Sequence, residues 1–291
     1  MFGIGGKTIA HGRKGFKPIE ATGGTVTDIT VNGKAWRVHT FTSSSNLVVS
    51  SGGEVEYFVI AGGGAGAGYY YGGGGGAGGY RSSVAGEMSG GGNTAEDMIE
   101  LTPATYPIVV GAGGAGRGQN YTGYNGGNSS IATISSLGGG GGGIQYGSGS
   151  GGGSGGGSGS YAGNPGQGTV NQGYAANARL GGSIAGSGGG AGGPGENRVL
   201  GAFSYRYGGG PGLLSSITGS GVWRAGGGGG SDSRATGGYA DKYAAAGGGG
   251  SSGGSATANT GGGGGGVSTN TIAGGNGGSG IVVVRYPLEA I

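Results

Sequence analysis

Short stretches with an alternating or continuous apolar pattern stand at both ends of the chain and frame a long middle that has few apolar side chains. Residues 25–31 (TVTDITV) alternate, and the Asn-Gly pair at 32–33 predicts a type I′ hairpin into residues 35–41. Residues 54–60 and 281–286 are apolar on both faces, as strands inside a covered sheet are. Further strands are predicted at 46–49, 106–110 and 130–134. We therefore expect one antiparallel domain in which the last strand returns to pair with the early ones.

Glycine fills most of the middle. It makes up 93 of 291 residues and forms uninterrupted runs such as 138–143 and 261–266. Ordering glycine costs more backbone entropy than ordering any other residue, so these runs are either flexible linkers or tracts that satisfy one another's backbone groups. Charged residues are only 9% of the chain, whereas disordered segments are usually rich in charge, which favours packed tracts. Polyglycine packs as a left-handed threefold extended helix without internal hydrogen bonds.

The predicted fold class is mainly β with almost no α-helix. A small antiparallel β-sandwich or jelly-roll-like domain would carry an inserted polyglycine II helix bundle. Residues 1–22 would form an N-terminal attachment arm, 23–137 the β-domain with the first glycine-rich block (completed by 279–291), and 138–278 the bundle with Gly-poor loops. Collagen is excluded, because it needs glycine at every third position and abundant proline, whereas these glycines are consecutive and prolines number seven.

Charge and reactive residues narrow the function further. Residues 1–20 hold four Lys or Arg and one Glu, a balance of +3 that equals the net charge of the whole chain, so the remainder is neutral. Four positively charged residues are too few to bind the phosphate backbone of a nucleic acid strongly, so we expect no nucleic-acid partner. The chain has no cysteine, and His11 and His39 show no metal-ligand spacing, so we expect no metal, no cofactor and no enzyme activity. No apolar run reaches the roughly 20 residues of a membrane span, and no signal-peptide core is visible.

The Gly-poor islands of the middle carry tyrosine, tryptophan and arginine, which binding loops use as rigid contact area. They predict a receptor-binding set, although the same rings could simply cap the bundle and keep water from its backbone. The predicted receptor-binding residues are Tyr161, Tyr174, Arg198, Tyr205, Arg206, Tyr207, Trp223, Tyr239 and Tyr243. The arm is predicted to attach the chain to a partner, with apolar residues anchoring it and charges setting register. The predicted attachment residues are Phe2, Ile4, Lys14, Phe16, Lys17 and Ile19.

Seven stretches, taken in order, resemble the glycine-rich domain of bacteriophage tail proteins. They are VEYFVIAGGG (55–64), GGYRSSV (78–84), YPIVVGAGG (106–114), ISSLGGGGGG (134–143), SSITGSGVWRAGGGGG (215–230), GSATANTGGGGGG (254–266) and GGSGIVVVRY (277–286). The resemblance implies a virion structural protein, a tail-fibre or tail-tip adhesin that binds the host cell surface through loops on a polyglycine scaffold.

The partners implied by this resemblance are other virion proteins and a host cell-surface receptor, either protein or glycan, with a homo-oligomer such as a trimer possible. The protein would be assembled in the host cytoplasm and exposed on the particle. The alternative is a purely architectural virion protein, a decoration or fibre-joint subunit, without receptor contact.

Overall fold

The computed structural model describes residues 19–68, 70–118, 120–178, 184–201, 204–231, 248–250, 253–268 and 273–289, with the backbone alone for 197–201 and 204–207. This part of the chain is mainly β, and its regular helical structure is a single 3₁₀ turn at Gly90–Gly92. The strands are β1 (Glu20–Thr22), β2 (Thr25–Val31), β3 (Lys34–Phe41), β4 (Ser45–Ser51), β5 (Gly53–Ile60), β6 (Tyr80–Ser82), β7 (Ile99–Leu101), β8 (Ala104–Val109), β9 (Ser129–Ile131), β10 (Ile134–Ser136), β11 (Glu196–Gly201), β12 (Ser204–Gly208), β13 (Leu213–Ser215), β14 (Val222–Arg224) and β15 (Ile281–Pro287).

The strands form two larger antiparallel sheets and two hairpins. One sheet has the order β1-β4-β8-β9-β10, and the other has the order β2-β3-β15-β5-β6 with β7 paired to β5; β11-β12 and β13-β14 are the hairpins. The predicted return of the last strand is confirmed, because Val283 of β15 lies opposite Thr40 on one side and Phe58 on the other. The turn between β2 and β3 has positive φ at Asn32 and Gly33, as a type I′ hairpin requires.

Both faces of the second sheet are covered at β5 and β15, which explains the continuous apolar runs of these two strands. On one face, Tyr57 and Val284 pack in a cluster with Leu47 and Ile108 of the first sheet. On the other face, Phe58 packs in a second cluster whose further members, from outside the two large sheets, include Val84, Ala191, Ile217 and Ala225. Alternate residues of the same strand thus enter two different cores.

Glycine tracts connect the strands, and their hydrogen bonds repeat every three residues. In tract 61–68, which leaves β5, the N–H groups of residues 61, 64 and 67 donate to tract 73–79. Those of residues 62 and 65 donate to 124–127, and those of 63 and 66 donate to 275–278. Its carbonyls accept N–H groups from three further places, at 114, 139–142 and 264–267. One tract is therefore bonded to six others.

The close approach of these tracts requires glycine. A Cβ placed on Gly66 would lie 2.0 Å from the carbonyl oxygen of Gly265, and one placed on Gly64 would lie 2.2 Å from that of Gly140. None of the glycines in 62–66 has a positive φ, so space rather than backbone conformation excludes other residues here.

We call the bonded tracts the glycine lattice; its described residues lie within 61–79, 111–128, 137–192, 208–212, 225–231 and 248–280. The prediction that the tracts of 138–278 bond to one another is confirmed in the part that the structure describes. The first glycine block, 61–79, is bonded into the same lattice. The division of the chain into an arm, a β-domain and a bundle stays a prediction.

Candidate functional site

The glycine lattice has two ends, which the order of its hydrogen bonds identifies. Ala61 follows β5 and donates its N–H to Gly79, the residue before β6, so these two residues mark the sheet end. Ala67 donates to Gly73, next to the turn that contains residues 70–71. That turn therefore lies at the opposite end of the lattice, which we call the distal end.

Four tyrosines form a continuous row at the distal end, the tyrosine row: Tyr70, Tyr71, Tyr161 and Tyr146. The ring centroids of successive members are 5.8, 5.7 and 5.4 Å apart, and the rings are tilted or edge-on rather than stacked face to face. The row has an accessible surface, because Tyr146 is 66% exposed and Tyr161 is 40% exposed.

Three loops supply the row, and the lattice fixes their position. Gly73 donates its N–H to Gly143, so the turn at 144–147 that holds Tyr146 begins level with the 70–71 turn. The N–H of Tyr161 donates to the carbonyl of Gln145 at 2.9 Å, which ties the third loop to the second. The rings are thus held close together by backbone bonds, as preorganised contact residues are.

A second aromatic group at the distal end, the arginine clamp, consists of Arg117, Tyr121 and Tyr124. The guanidinium carbon of Arg117 lies 4.1 Å from the ring centroid of Tyr121 and 4.6 Å from that of Tyr124, both within the range of a cation–π interaction. The two tyrosines are 53% and 52% exposed. The clamp adjoins the start of the tyrosine row, because a Cβ placed on Gly68 would lie 2.2 Å from the carbonyl oxygen of Arg117.

The predicted receptor-binding residues whose side chains the structure describes lie at both ends of the lattice. Tyr161 belongs to the tyrosine row, whereas Trp223 lies on β14, next to Arg224, whose guanidinium lies over Phe58 of β5 at the sheet end. Tyr174 also lies at the sheet end, since a Cβ on Gly92 would lie 2.5 Å from its hydroxyl.

The hairpin residues of this predicted set can be placed only by backbone register. Arg198 of β11 pairs with Arg206 of β12, and Tyr205 and Tyr207 lie on either side of Arg206. Two further predicted residues, Tyr239 and Tyr243, lie outside the described residues.

Of the predicted attachment residues, the structure describes Ile19 alone. Its side chain is 8% exposed and packs in the core between the two sheets, so this chain itself covers it. The other five lie outside the described residues; they are Phe2, Ile4, Lys14, Phe16 and Lys17.

Sequence reasoning missed six of the seven side chains of the tyrosine row and the arginine clamp, because it chose the long Gly-poor islands. Tyr70 and Tyr71 lie in a three-tyrosine run inside the first glycine block, and Tyr146 lies in a three-residue interruption between glycine tracts. Arg117, Tyr121 and Tyr124 belong to the segment between β8 and β9, which carried no binding prediction. A usable signal was present, because a short turn that carries tyrosine between two glycine tracts must lie at a tract end.

A polar network at the sheet end holds Glu96 in place. The carboxylate accepts hydrogen bonds from Arg81, from the hydroxyl of Tyr57 at 2.8 Å and from the hydroxyl of Ser89 at 3.0 Å. Burial raises the pKa of Glu96, but the bonds from Arg81 and Tyr57 outweigh burial and leave that pKa below its usual value. Its carboxylate oxygens are occupied by donors of this chain, so the geometry suits a structural role. Arg81 and Glu96 also line a cleft of about 300 Å³, together with Asn93, Val170, Asn171 and Gln172.

Two buried polar pairs sit in the second sheet. Arg285 of β15 donates to Glu56 of β5 at 2.5 Å, and its guanidinium lies 4.7 Å from the ring centroid of Trp36.

His39 lies between the carbonyl of Gly23 at 2.8 Å and the hydroxyl of Tyr286 at 3.0 Å. A carbonyl only accepts, so Nδ1 carries the proton and Nε2 accepts from Tyr286. Burial lowers the pKa of His39 below its ordinary value, against the opposing effect of the Gly23 carbonyl.

Within the described ranges, no group of His, Asp and Glu side chains has the arrangement of a metal site, and no helix is long and apolar enough to cross a membrane.

The described structure is that of a mainly β, glycine-rich protein, in which glycine tracts bond into a lattice with aromatic turns at its distal end. Residues 39–287 match the glycine-rich domain family, and the chain belongs to that family. No curated protein matches the chain.

Proposed function

We propose that the two larger sheets form a β-sandwich and that the lattice tracts are polyglycine II helices. The first part is supported by the core cluster that combines Tyr57 and Val284 of one sheet with Leu47 and Ile108 of the other. The second is supported by the repeat of three in the hydrogen bonds, since polyglycine II has three residues per turn and bonds only to its neighbours. The sandwich would then be the base of a rod that presents the distal loops.

We further propose that the protein is a bacteriophage virion structural protein, a tail-fibre or tail-tip adhesin that binds the host cell surface. The seven stretches that resemble phage tail proteins are the reason for placing it on a virion. The observation that carries the binding role is the tyrosine row, because exposed, rigidly held aromatic residues are the usual energetic anchors of binding surfaces. The purely architectural virion protein remains the alternative; it would use the same rings only to cover the lattice.

Cell binding by the purified full-length chain tests this proposal. The labelled protein would be incubated with cells of the bacterium that the phage carrying this gene infects, and bound protein measured by flow cytometry. We expect Tyr146→Ala combined with Tyr161→Ala to weaken binding by about tenfold or more. Trp223→Ala is the matched control, since Trp223 is 48% exposed but lies at the sheet end; its binding should stay within about twofold of wild type.

The two readings give different results in this assay. If the protein is an adhesin, wild type and Trp223→Ala bind cells alike and the double variant binds about tenfold or more weakly. Absence of specific cell binding by a folded wild-type protein that still incorporates into particles would instead support the architectural reading. Equal loss in both variants would refute the distal end as the binding surface.

A further inference from the structure

We infer that the distal end binds an acidic carbohydrate, with sugar rings on the tyrosine row and an anionic group on Arg117. This inference rests on the proposed adhesin function and names the chemical class of its ligand. It uses the tyrosine row and the arginine clamp together, which adjoin through Gly68.

The geometry of the row suits an extended chain of rings. Four tyrosines from three loops follow one another at 5.4–5.8 Å, and Tyr70, Tyr146 and Tyr161 each keep at least 36% of their surface exposed. The faces of sugar rings carry C–H groups that pack on aromatic rings, while their hydroxyls bond to polar groups at the edges. Tyrosine as a residue type carries both an aromatic face and a phenolic hydroxyl.

The composition of the distal loops favours a hydroxyl-rich ligand over an apolar protein surface. Residues 144–147 and 161–164 contain Gln145 and Asn164 beside the tyrosines, and their aliphatic side chains are limited to Ile144 and Ala162. Each ring of the row carries a hydroxyl and lies in a loop with amide side chains, so the surface offers polar groups that an apolar partner would leave without hydrogen bonds. Amides and hydroxyls can both donate and accept, as sugar hydroxyls require.

Arg117 supplies the preference for an acidic sugar. It is the sole charged side chain in the sequence of the loops 70–71, 117–125, 144–147 and 161–164. The clamp holds its guanidinium over two rings, and a guanidinium retains five N–H donors in a planar fork that fits carboxylate or phosphate. With no acidic residue in these loops, the positive charge favours an anionic ligand and disfavours a cationic one.

The experiment begins with the purified full-length protein on a microarray of neutral glycans and of glycans bearing uronate, sialate or phosphate groups. The strongest hit is then titrated by calorimetry against wild type and variants, each checked for an unchanged thermal unfolding midpoint. Tyr146→Ala and Arg117→Gln should each weaken binding by about tenfold or more. Tyr146→Phe keeps the ring and should stay within about threefold, and Trp223→Ala at the sheet end should bind as wild type. Binding should also weaken with added salt, and this salt dependence should fall in Arg117→Gln.

Binding to acidic glycans with this variant pattern supports the inference. Absence of glycan binding, binding confined to neutral glycans, or binding unchanged by both substitutions overturns it. Treatment of host cells separates this result from the adhesin proposal. If periodate oxidation of the cells removes binding and protease treatment does not, both proposals stand. If protease removes binding and periodate does not, the protein is an adhesin for a protein receptor and the carbohydrate inference is wrong.

Discussion

Gly263→Ala is a well-defined perturbation of the glycine lattice, because it places one methyl group beside a particular backbone hydrogen bond. A Cβ on Gly263 would lie 2.0 Å from the carbonyl oxygen of Gly75 and 2.9 Å from the nitrogen of Gly228. The N–H of Gly228 donates to that same Gly75 oxygen at 2.8 Å. The methyl would therefore separate two tracts that bond each other, rather than fill a space.

The size of the effect follows from these distances. Ordinary van der Waals contact begins at 3.4 Å, so the Gly75 carbonyl would have to move by about 1.4 Å (3.4 minus 2.0). Overpacking of this kind costs about 1–3 kcal/mol, and a buried donor left without its acceptor costs about 1–3 kcal/mol more. Alanine returns about 0.4–1 kcal/mol by restricting the unfolded chain. We expect a net loss of about 1–5.6 kcal/mol in the free energy of unfolding.

Urea denaturation and calorimetry measure this loss. Gly118→Ala is the matched control, because a Cβ there has nothing within 4 Å and Gly118 has no positive φ. The control should lose less than about 0.5 kcal/mol, whereas Gly263→Ala should lower the melting temperature by about 2–11 °C. The reasoning is refuted if Gly263→Ala unfolds with wild type, or if both variants are destabilised equally.

Three further predictions concern the sheets. Glu56→Leu should lower the free energy of unfolding, measured by urea denaturation, by about 3–5 kcal/mol, because it leaves the charge of Arg285 buried without its ionic partner. Adding Arg285→Met should recover most of that loss. A Glu56→Leu protein as stable as wild type would contradict this prediction. The pKa of His39 is lower in the folded protein than its ordinary value of 6.5, so the unfolded protein binds a proton at this residue more readily than the folded one. The contribution of neutral His39 to stability is therefore present above pH 6.5 and is lost as the pH falls below that value. Wild type should therefore lose more stability than His39→Gln between pH 7.5 and 5.5, and parallel curves would exclude the effect. Ile19→Ala should cost about 2–4 kcal/mol in the same assay, against less than about 1 kcal/mol for the exposed Val26→Ala.

The sheets could be predicted because their residues carry a readable pattern. The Asn-Gly pair at 32–33 marks the first hairpin, since both positions need positive φ. The apolar residues on both faces of 281–286 indicate a strand covered on two sides, and β15 lies between β3 and β5. In both cases side-chain chemistry encodes the position of the backbone.

The neighbours of each glycine tract could not be predicted, for a physical reason. The runs 138–143 and 261–266 have identical sequences, yet Gly140 donates its N–H to Ser154 and Gly263 donates to Gly226. A tract without side chains carries no local information on which tract lies beside it. The strands, turns and islands at its ends must supply that information, and this is also why Tyr146 and Tyr161 could not be placed together from the sequence.

The repeat of three in the lattice sets a rule for changes in length. In the proposed polyglycine II helices, inserting one residue into tract 61–68 would rotate every later residue by a third of a turn, so the N–H groups that face 73–79 would face a different neighbour. Inserting three residues would restore the directions and lengthen the tract by one turn. Among related sequences, tracts should therefore gain or lose residues in threes, while the distal turns that carry Tyr70 and Tyr146 can change by any number. Evolution can therefore change the length of the glycine tracts only in steps of three residues, whereas it can change the length and sequence of the distal turns without this restriction.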